Sequence, residues 1–395
     1  MKKALFTVLA ITLLAMPLNL IAVQTGLGVL VVLLLAGRVR GDWTFKGTPL
    51  DLPLAFFILT ILASMLASAP RMASFDASAS FWVFLSYYPL SQAFLIAGER
   101  ERLRKVFLVV VAISTAVAAY AIVQHFTGID VFGVGKRLMW APATRGERFL
   151  AVGFFYRHTT LAFTLSFSLV TAAALFLEET RVALKTLLAA SMAVILAAIM
   201  FTYVRMALLG VVAGLLALGL IRSRRAAAAA LATVALAVAA TAVVSPTVLS
   251  KMEGTFSAEG SGSRNFIWKR TLEMASDNPA TGTGYGNFNS LTRTYYDRFD
   301  PSFLVRCHAH NVYLHYWTEL GPIGLFAFVL LWTIFFMAAV PRAGREGLGA
   351  LAAVGVTACM ITGSAAQCTF FDGQIVFFFL AVMAAFNVQP TGASR

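Results

Sequence analysis

RCHAHNVYLHYWTELGPIG, residues 306–324, decides how the chain is read. A polar segment holding two histidines runs straight into an apolar stretch long enough to cross a bilayer. His308, His310, Asn311 and Glu319 therefore stand where polar backbone gives way to hydrocarbon. Ionisable side chains are costly there and survive for a function, so chemistry is expected at this junction.

The rest of the chain supplies the setting. Its 395 residues are 59% hydrophobic and 12% charged, with a mean hydropathy of +0.80, which is outside the range of soluble domains. Long apolar runs between short basic loops predict spanning helices, since about 20 apolar residues cross a core of roughly 30 Å. A membrane barrel is excluded because the runs lack alternation. The formal charge of +13 would suggest nucleic acid in a soluble protein; here much of it lies in loops that set topology, so no nucleic-acid partner is expected. Cys307, Cys359 and Cys368 have neither zinc nor redox spacing, and a Cys307–Cys368 disulfide is the one pairing considered. The start, MKKALFTVLAITLLAMPLNL, has the look of a signal peptide without a convincing cleavage site, and it is read as an uncleaved first helix.

These features predict an all-α polytopic membrane protein: one transmembrane domain of about twelve helices, with one large outer loop containing short helices. The expected spans cover about 4–18, 20–36, 50–68, 78–97, 106–125 and 152–177 in the first half. In the second they cover about 186–203, 206–221, 226–244, 312–340, 348–366 and 373–388. Basic loops such as GRVRGDWTFKG (37–47) and GERERLRK (98–105) fall on the cytoplasmic side, with both termini. A small loop, 126–150, and the large one, 245–312, then face outward. The large loop keeps Lys251, Arg264, Lys269, Arg270, Arg293, Arg298 and Arg306 despite facing outward, which suits an anionic partner.

Ionisable residues gather at the outer span ends: His125, Arg157, His158, Arg205, His310 and Asp372. The helix middles carry none in this reading, which argues against an ion-coupled transporter and for a reaction at one surface. Residues 261–279 read as an interfacial helix capped at Ser261 or Ser263, with Phe266, Ile267, Arg270 and Met274 toward the membrane and Trp268 at headgroup level. Arg264 in its first turn suits a phosphate, the structural alternative being a headgroup anchor. Arg205 reads either as a snorkelling arginine or as a fixed cation for a diphosphate. Arg157 and His158 either anchor their helix or line a cavity. The glycines of NPATGTGYGNF (278–288) read as a hinge or wall beside the site. His310, neutral at a pKa of about 6.5, is a candidate proton acceptor, with a helix cap as its alternative. Its company is His308, Asn311, Arg306 and, about two and a half turns deeper, Glu319; His315, on another face, reads as structural.

GFFYRHTTLAF (153–163), TYVRMALLG (202–210), SGSRNFIWKRTLEMASDNPATGTGYGNF (261–288) and HAHNVYLHYWTELGPIGL (308–325), in this order, resemble the bacterial O-antigen ligase family and its relatives, the O-antigen polymerases and O-linked oligosaccharyltransferases. The resemblance covers roughly the last 60% of the chain; the earlier helices match in hydropathy alone. It implies transfer of a glycan from undecaprenyl diphosphate to an acceptor hydroxyl, lipid A-core for a ligase, on the periplasmic face of the inner membrane. By position, Arg205 and Arg264 match the family's diphosphate-binding arginines and His310 its acceptor-activating histidine. The family is taken as inverting and metal-independent, and no cofactor or metal site is expected. Polymerases and oligosaccharyltransferases share the architecture and differ in acceptor. A lipid-linked glycan flippase, the non-enzyme alternative, would need charge deep in its spans.

Overall fold

The computed structural model describes residues 1–67, 81–131, 148–225, 258–296, 308–345 and 347–388, with isolated helical positions between 228 and 239. The expected ninth span, Arg306, Cys307 and much of both outer loops lie outside these residues.

The described chain is all-α. Its first half holds α1 (Lys2–Ala15), α2 (Leu20–Val39), α3 (Asp51–Ala67), the single turn α4 (Trp82–Leu85), α5 (Tyr87–Ala97), α6 (Arg100–Thr127) and α7 (His158–Glu178). Then come α8 (Val182–Phe201), α9 (Arg205–Arg222), α10 (Ala258–Asp277), α11 (Phe288–Tyr296), α12 (Val312–Arg345), α13 (Leu348–Gly363) and α14 (Gly373–Ala384). Among the described residues seven helices are long and apolar enough to cross a membrane, α3 and α14 being shorter apolar helices. The chain is a membrane protein.

Burial sorts these helices into layers. Of the apolar window of α7, 89% is buried, against 28% for α2, so α7 is central and α2 peripheral. An evenly apolar helix such as α7 has no polar face to show and suits the middle of a bundle. Around it α9 and α13 cross closely: a Cβ at Gly210 would stand 2.6 Å from the Cys359 carbonyl oxygen, and one at Gly214 2.8 Å from that of Gly355. Small residues four apart let backbones approach and gain dispersion contact, which lipid-facing helices need because hydrocarbon removes the hydrophobic drive between them.

At one end, ion pairs tie the helix termini together. Arg100 and Arg222 meet Glu178, while Arg104 and Arg181 meet Glu179. Hydrogen bonds from the Arg181 side chain and backbone hold the Glu179 carboxyl down to about 2. The candidate site lies at the opposite end.

There the sequence-based helix limits need correction. The sixth span was expected from residue 152, yet α7 starts at His158. Gly153 adopts φ +60°, and buried Gln124 takes its N–H at 2.8 Å and gives an N–H to its carbonyl at 3.1 Å. That pairing makes 151–157 an ordered loop despite its apolar composition. Helix α10 already runs at Ala258, so Ser261 and Ser263 lie inside it and are not its cap, and Arg264 stands beyond the first turn. Its inner face is not toward lipid either: Ile267, Arg270, Thr271 and Met274 are buried, and the Thr271 carbonyl accepts from the Thr318 hydroxyl. The tenth span is broken at Gly321, where φ is +70° and ψ −175°.

Candidate active site

The break in α12 follows from Gly321-Pro322. Proline lacks an amide hydrogen and disfavours helical conformation in the residue before it; here that residue is a glycine, free to take φ +70°, and the helix stops and restarts. Carbonyls ahead of the break lose their helical donors. The glycine-rich turn replaces them: the amides of Thr283 and Gly284 donate to the carbonyl oxygens of Thr318 and Glu319 at 2.8 and 3.0 Å. Contact is tight, since a Cβ at Gly282 would stand 2.5 Å from the Glu319 carbonyl. The expected hinge or wall is thus a clamp that fits the loop onto the broken helix. Ser64 on α3 adds a donor to the same Glu319 carbonyl at 2.6 Å.

Glu319 is 1% exposed. Its Oε1 accepts the Phe288 amide at 3.1 Å and lies 3.4 Å from His315 Nε2. Nδ1 of His315 accepts the Ala309 amide at 3.3 Å, which places the ring hydrogen on Nε2, facing the carboxylate. Glu319 and His315 therefore anchor the start of α11 and the turn before α12. His315, expected on another face, thus shares the face of Glu319 four residues on and holds the backbone of the histidine turn.

That turn carries the histidines. Asn311 caps α12, its Oδ1 accepting the Leu314 amide at 3.0 Å, a fixed end from which the turn departs. His310 has φ +51°, a conformation uncommon for a residue with a Cβ and frequent at functional sites. The other described non-glycine residue with positive φ is Tyr203, two positions before Arg205. The His308 and His310 rings meet edge to face with centroids 4.3 Å apart. Burial, the neighbouring His310 and His315 rings and the Arg157 charge push His308 down to about 3, so it stays neutral near pH 7. Arg157 thus lies within range of the His308 ring for its charge to act. His158 opens α7, whose Thr160 donates to Asp372; Asp372 in turn caps α14. Asp372 thus acts as a helix cap.

A residue not singled out in the sequence completes the turn. Oε1 of Gln367, between α13 and α14, lies 3.2 Å from His310 Nδ1. The adjacent Cys368 sulfur rests against the backbone amides of Ala309, His310 and Asn311, and burial raises its thiol so that it is no nucleophile. The signal was present: QCTFFD is a polar turn between two apolar helices. A glutamine there was one polar residue among several.

The arginines arrive from elsewhere. Arg205 opens α9, and Gly363 at the end of α13 comes so near that its Cβ would be 3.2 Å from the Met206 carbonyl. The α9–α13 crossing thereby brings Arg205 to the neighbourhood of Gln367. Arg205 and Arg264 are close enough for their charges to interact. Burial lowers the Arg264 guanidinium from its ordinary value, leaving a poorly hydrated cation. One helical turn further on the same face, Trp268 donates its indole hydrogen to the Ala309 carbonyl at 3.0 Å. Trp268 is therefore tied to the histidine turn rather than to headgroups. Among the described residues no cluster of three His, Cys, Asp or Glu side chains is arranged to hold a metal ion.

Two cations whose charges interact can bind a diphosphate, and a histidine imidazole can accept a proton. No curated protein matches the chain. Residues 190–329, running from α8 into α12 and including Arg205, Arg264 and His310, match the family model described as O-antigen ligase.

Proposed function

We propose that the protein transfers O-antigen glycan from undecaprenyl diphosphate to a sugar hydroxyl of lipid A-core, at the periplasmic face of the inner membrane. The observation that carries this reading is the approach of Arg205 to Arg264, with α10 pinned through Trp268 to the turn that presents His310. A glycosyl diphosphate brings its own leaving group. Catalysis then needs cations for the departing charge and a base for the incoming hydroxyl.

In this mechanism Nε2 of His310 takes the acceptor proton as the hydroxyl oxygen attacks the anomeric carbon. The bond from that carbon to the diphosphate oxygen breaks, and the electron pair leaves with the diphosphate, whose charge the arginines hold. Attack opposite the leaving group inverts the anomeric centre. The guanidinium pair does the charge stabilisation, so the reaction is read as metal-independent. Arg157, His158 and Asn311 line or fix the surroundings, and His308, neutral across the working pH range, packs against His310 without exchanging protons.

Reconstitution with lipid-linked O-antigen and lipid A-core tests this. Wild type is expected to give laddered lipopolysaccharide, His310→Ala to give none while inserting normally, and Arg264→Lys to lose activity because the bidentate fork is gone. Full turnover by His310→Ala would remove the base assignment. Chain extension without lipid A-core would replace the ligase reading by a polymerase one, and glycosylation of an added protein by an oligosaccharyltransferase one.

A further inference from the structure

His310 is held from two directions. Its backbone is fixed in the left-handed region between the Asn311 cap and the Cys368 sulfur, and its ring reaches across to the α13–α14 turn. There Nδ1 stands 3.2 Å from Gln367 Oε1. An amide oxygen only accepts, so the hydrogen of this contact belongs to Nδ1. A neutral imidazole carries one N–H hydrogen, which leaves Nε2 with its lone pair. We infer that Gln367 is a positioning residue that keeps His310 in the Nδ1–H tautomer and directs Nε2 at the acceptor hydroxyl. This rests on the reading of His310 as the base.

Gln367 is itself well placed to hold a ring still. Its amide nitrogen donates to the Ser364 carbonyl at 3.5 Å, and it sits between two short 3-10 turns, Ser364–Ala366 and Thr369–Phe371. The next residue, Cys368, packs on the same histidine turn, so backbone and side chain of 367–368 act on one target. Fixing the tautomer matters because the two ring nitrogens are inequivalent, and a ring protonated on Nε2 presents a donor where the reaction needs an acceptor.

A neutral partner also has a chemical consequence. A carboxylate in its place would stabilise the imidazolium and raise its pKa, so the base would be lost by protonation at higher pH. Among the described residues, the His308 ring meets that of His310, and His315 on α12 and Arg157 ahead of α7 act on His308 through their charge. Two described carboxylates on the neighbouring elements have partners of their own, Glu319 with His315 and the Phe288 amide, Asp372 with Thr160 and the α14 N-terminus. A glutamine therefore orients the ring without adding a charge beside it.

The test is the pH dependence of kcat/KM in proteoliposomes for wild type, Gln367→Leu, Gln367→Glu and His310→Ala. General-base catalysis contributes roughly 10²–10⁴-fold, so Gln367→Leu should lower kcat at least about tenfold, with the KM for the lipid-linked donor little changed. Gln367→Glu, nearly isosteric and able to keep the contact, should shift the acid limb upward by about one pH unit or more. Wild-type kcat in Gln367→Leu, or an unshifted acid limb in an active Gln367→Glu, overturns the positioning role. An inactive Gln367→Glu that purifies normally does so too, since the contact would be retained. Activity in His310→Ala sinks the parent reading instead, which separates the two failures.

Discussion

The indole N–H of Trp268 donates to the carbonyl oxygen of Ala309 at 3.0 Å, joining the helix that carries Arg264 to the turn that carries His310. The two halves of the candidate site come from segments with independent anchors. Arg264 belongs to α10, packed on α12 through Thr271 and Thr318; His310 belongs to a turn set by Asn311, Cys368 and Gln367.

Trp268→Phe keeps most of the ring's packing and removes this bond, which contributes about 0.5–1.5 kcal/mol. The expected result is normal insertion with turnover reduced several-fold. Purified yield and initial rate in proteoliposomes measure it, and an unchanged rate would show that the two halves do not need the bond.

Gly282→Ala and Gly321→Ala should each destabilise the protein. Both positions have φ near +70°, and each added Cβ would stand 2.5 Å from backbone atoms of the opposing segment. The backbone conformation alone costs about 1–3 kcal/mol for a residue with a side chain. Gly28→Ala is the control: nothing lies within 4 Å of its Cβ position, and within α2 the change should be neutral or add about 0.5–1 kcal/mol. Thermal unfolding in detergent should rank the three accordingly.

Acid sensitivity follows from His308. Its pKa falls from 6.5 to about 3 on folding, chiefly through burial. Below pH 6.5 the unfolded chain takes up a proton that the folded one refuses, so stability falls as pH drops from 6.5 toward 3 and no further below that. His308→Gln removes this term. Its unfolding temperature should decline less than that of wild type across that window, and parallel curves would contradict the burial of a neutral ring.

The charges of Arg205 and Arg264 oppose one another, and an anion between them would relieve this. Undecaprenyl diphosphate should therefore raise the unfolding temperature of wild type, by the equivalent of about 2.7 kcal/mol at a concentration a hundred times its Kd. Arg264→Gln should be at least as stable as wild type without the lipid and respond less to it. An equal response in both would locate the diphosphate elsewhere.

The apolar runs and the residues at their ends were legible in the sequence, because helix formation and burial are properties of a residue and its near neighbours. Thus α2, α8 and α13 fall close to the expected limits, Arg205 lies within range of the Arg264 charge, and His308 within range of His310 and Arg157. The late start of α7 was hidden because Val152 to Phe155 are as apolar as a helix. Only Gln124, 29 residues away from Gly153, makes them a loop.

By itself the sequence determined that the chain is a helical membrane protein with cations and histidines gathered at span ends; free energies of transfer are additive over a run and need no partner. The tertiary structure alone decided what faces what. An amphipathic period cannot tell lipid from protein, since both are apolar, so the inner face of α10 found α12 rather than the membrane. Gln367 reaches His310 across 57 residues because α12 packs on α13, where the Tyr313 hydroxyl donates to the Ile361 carbonyl at 3.0 Å, and a hydrogen bond between distant segments leaves no periodic trace in either.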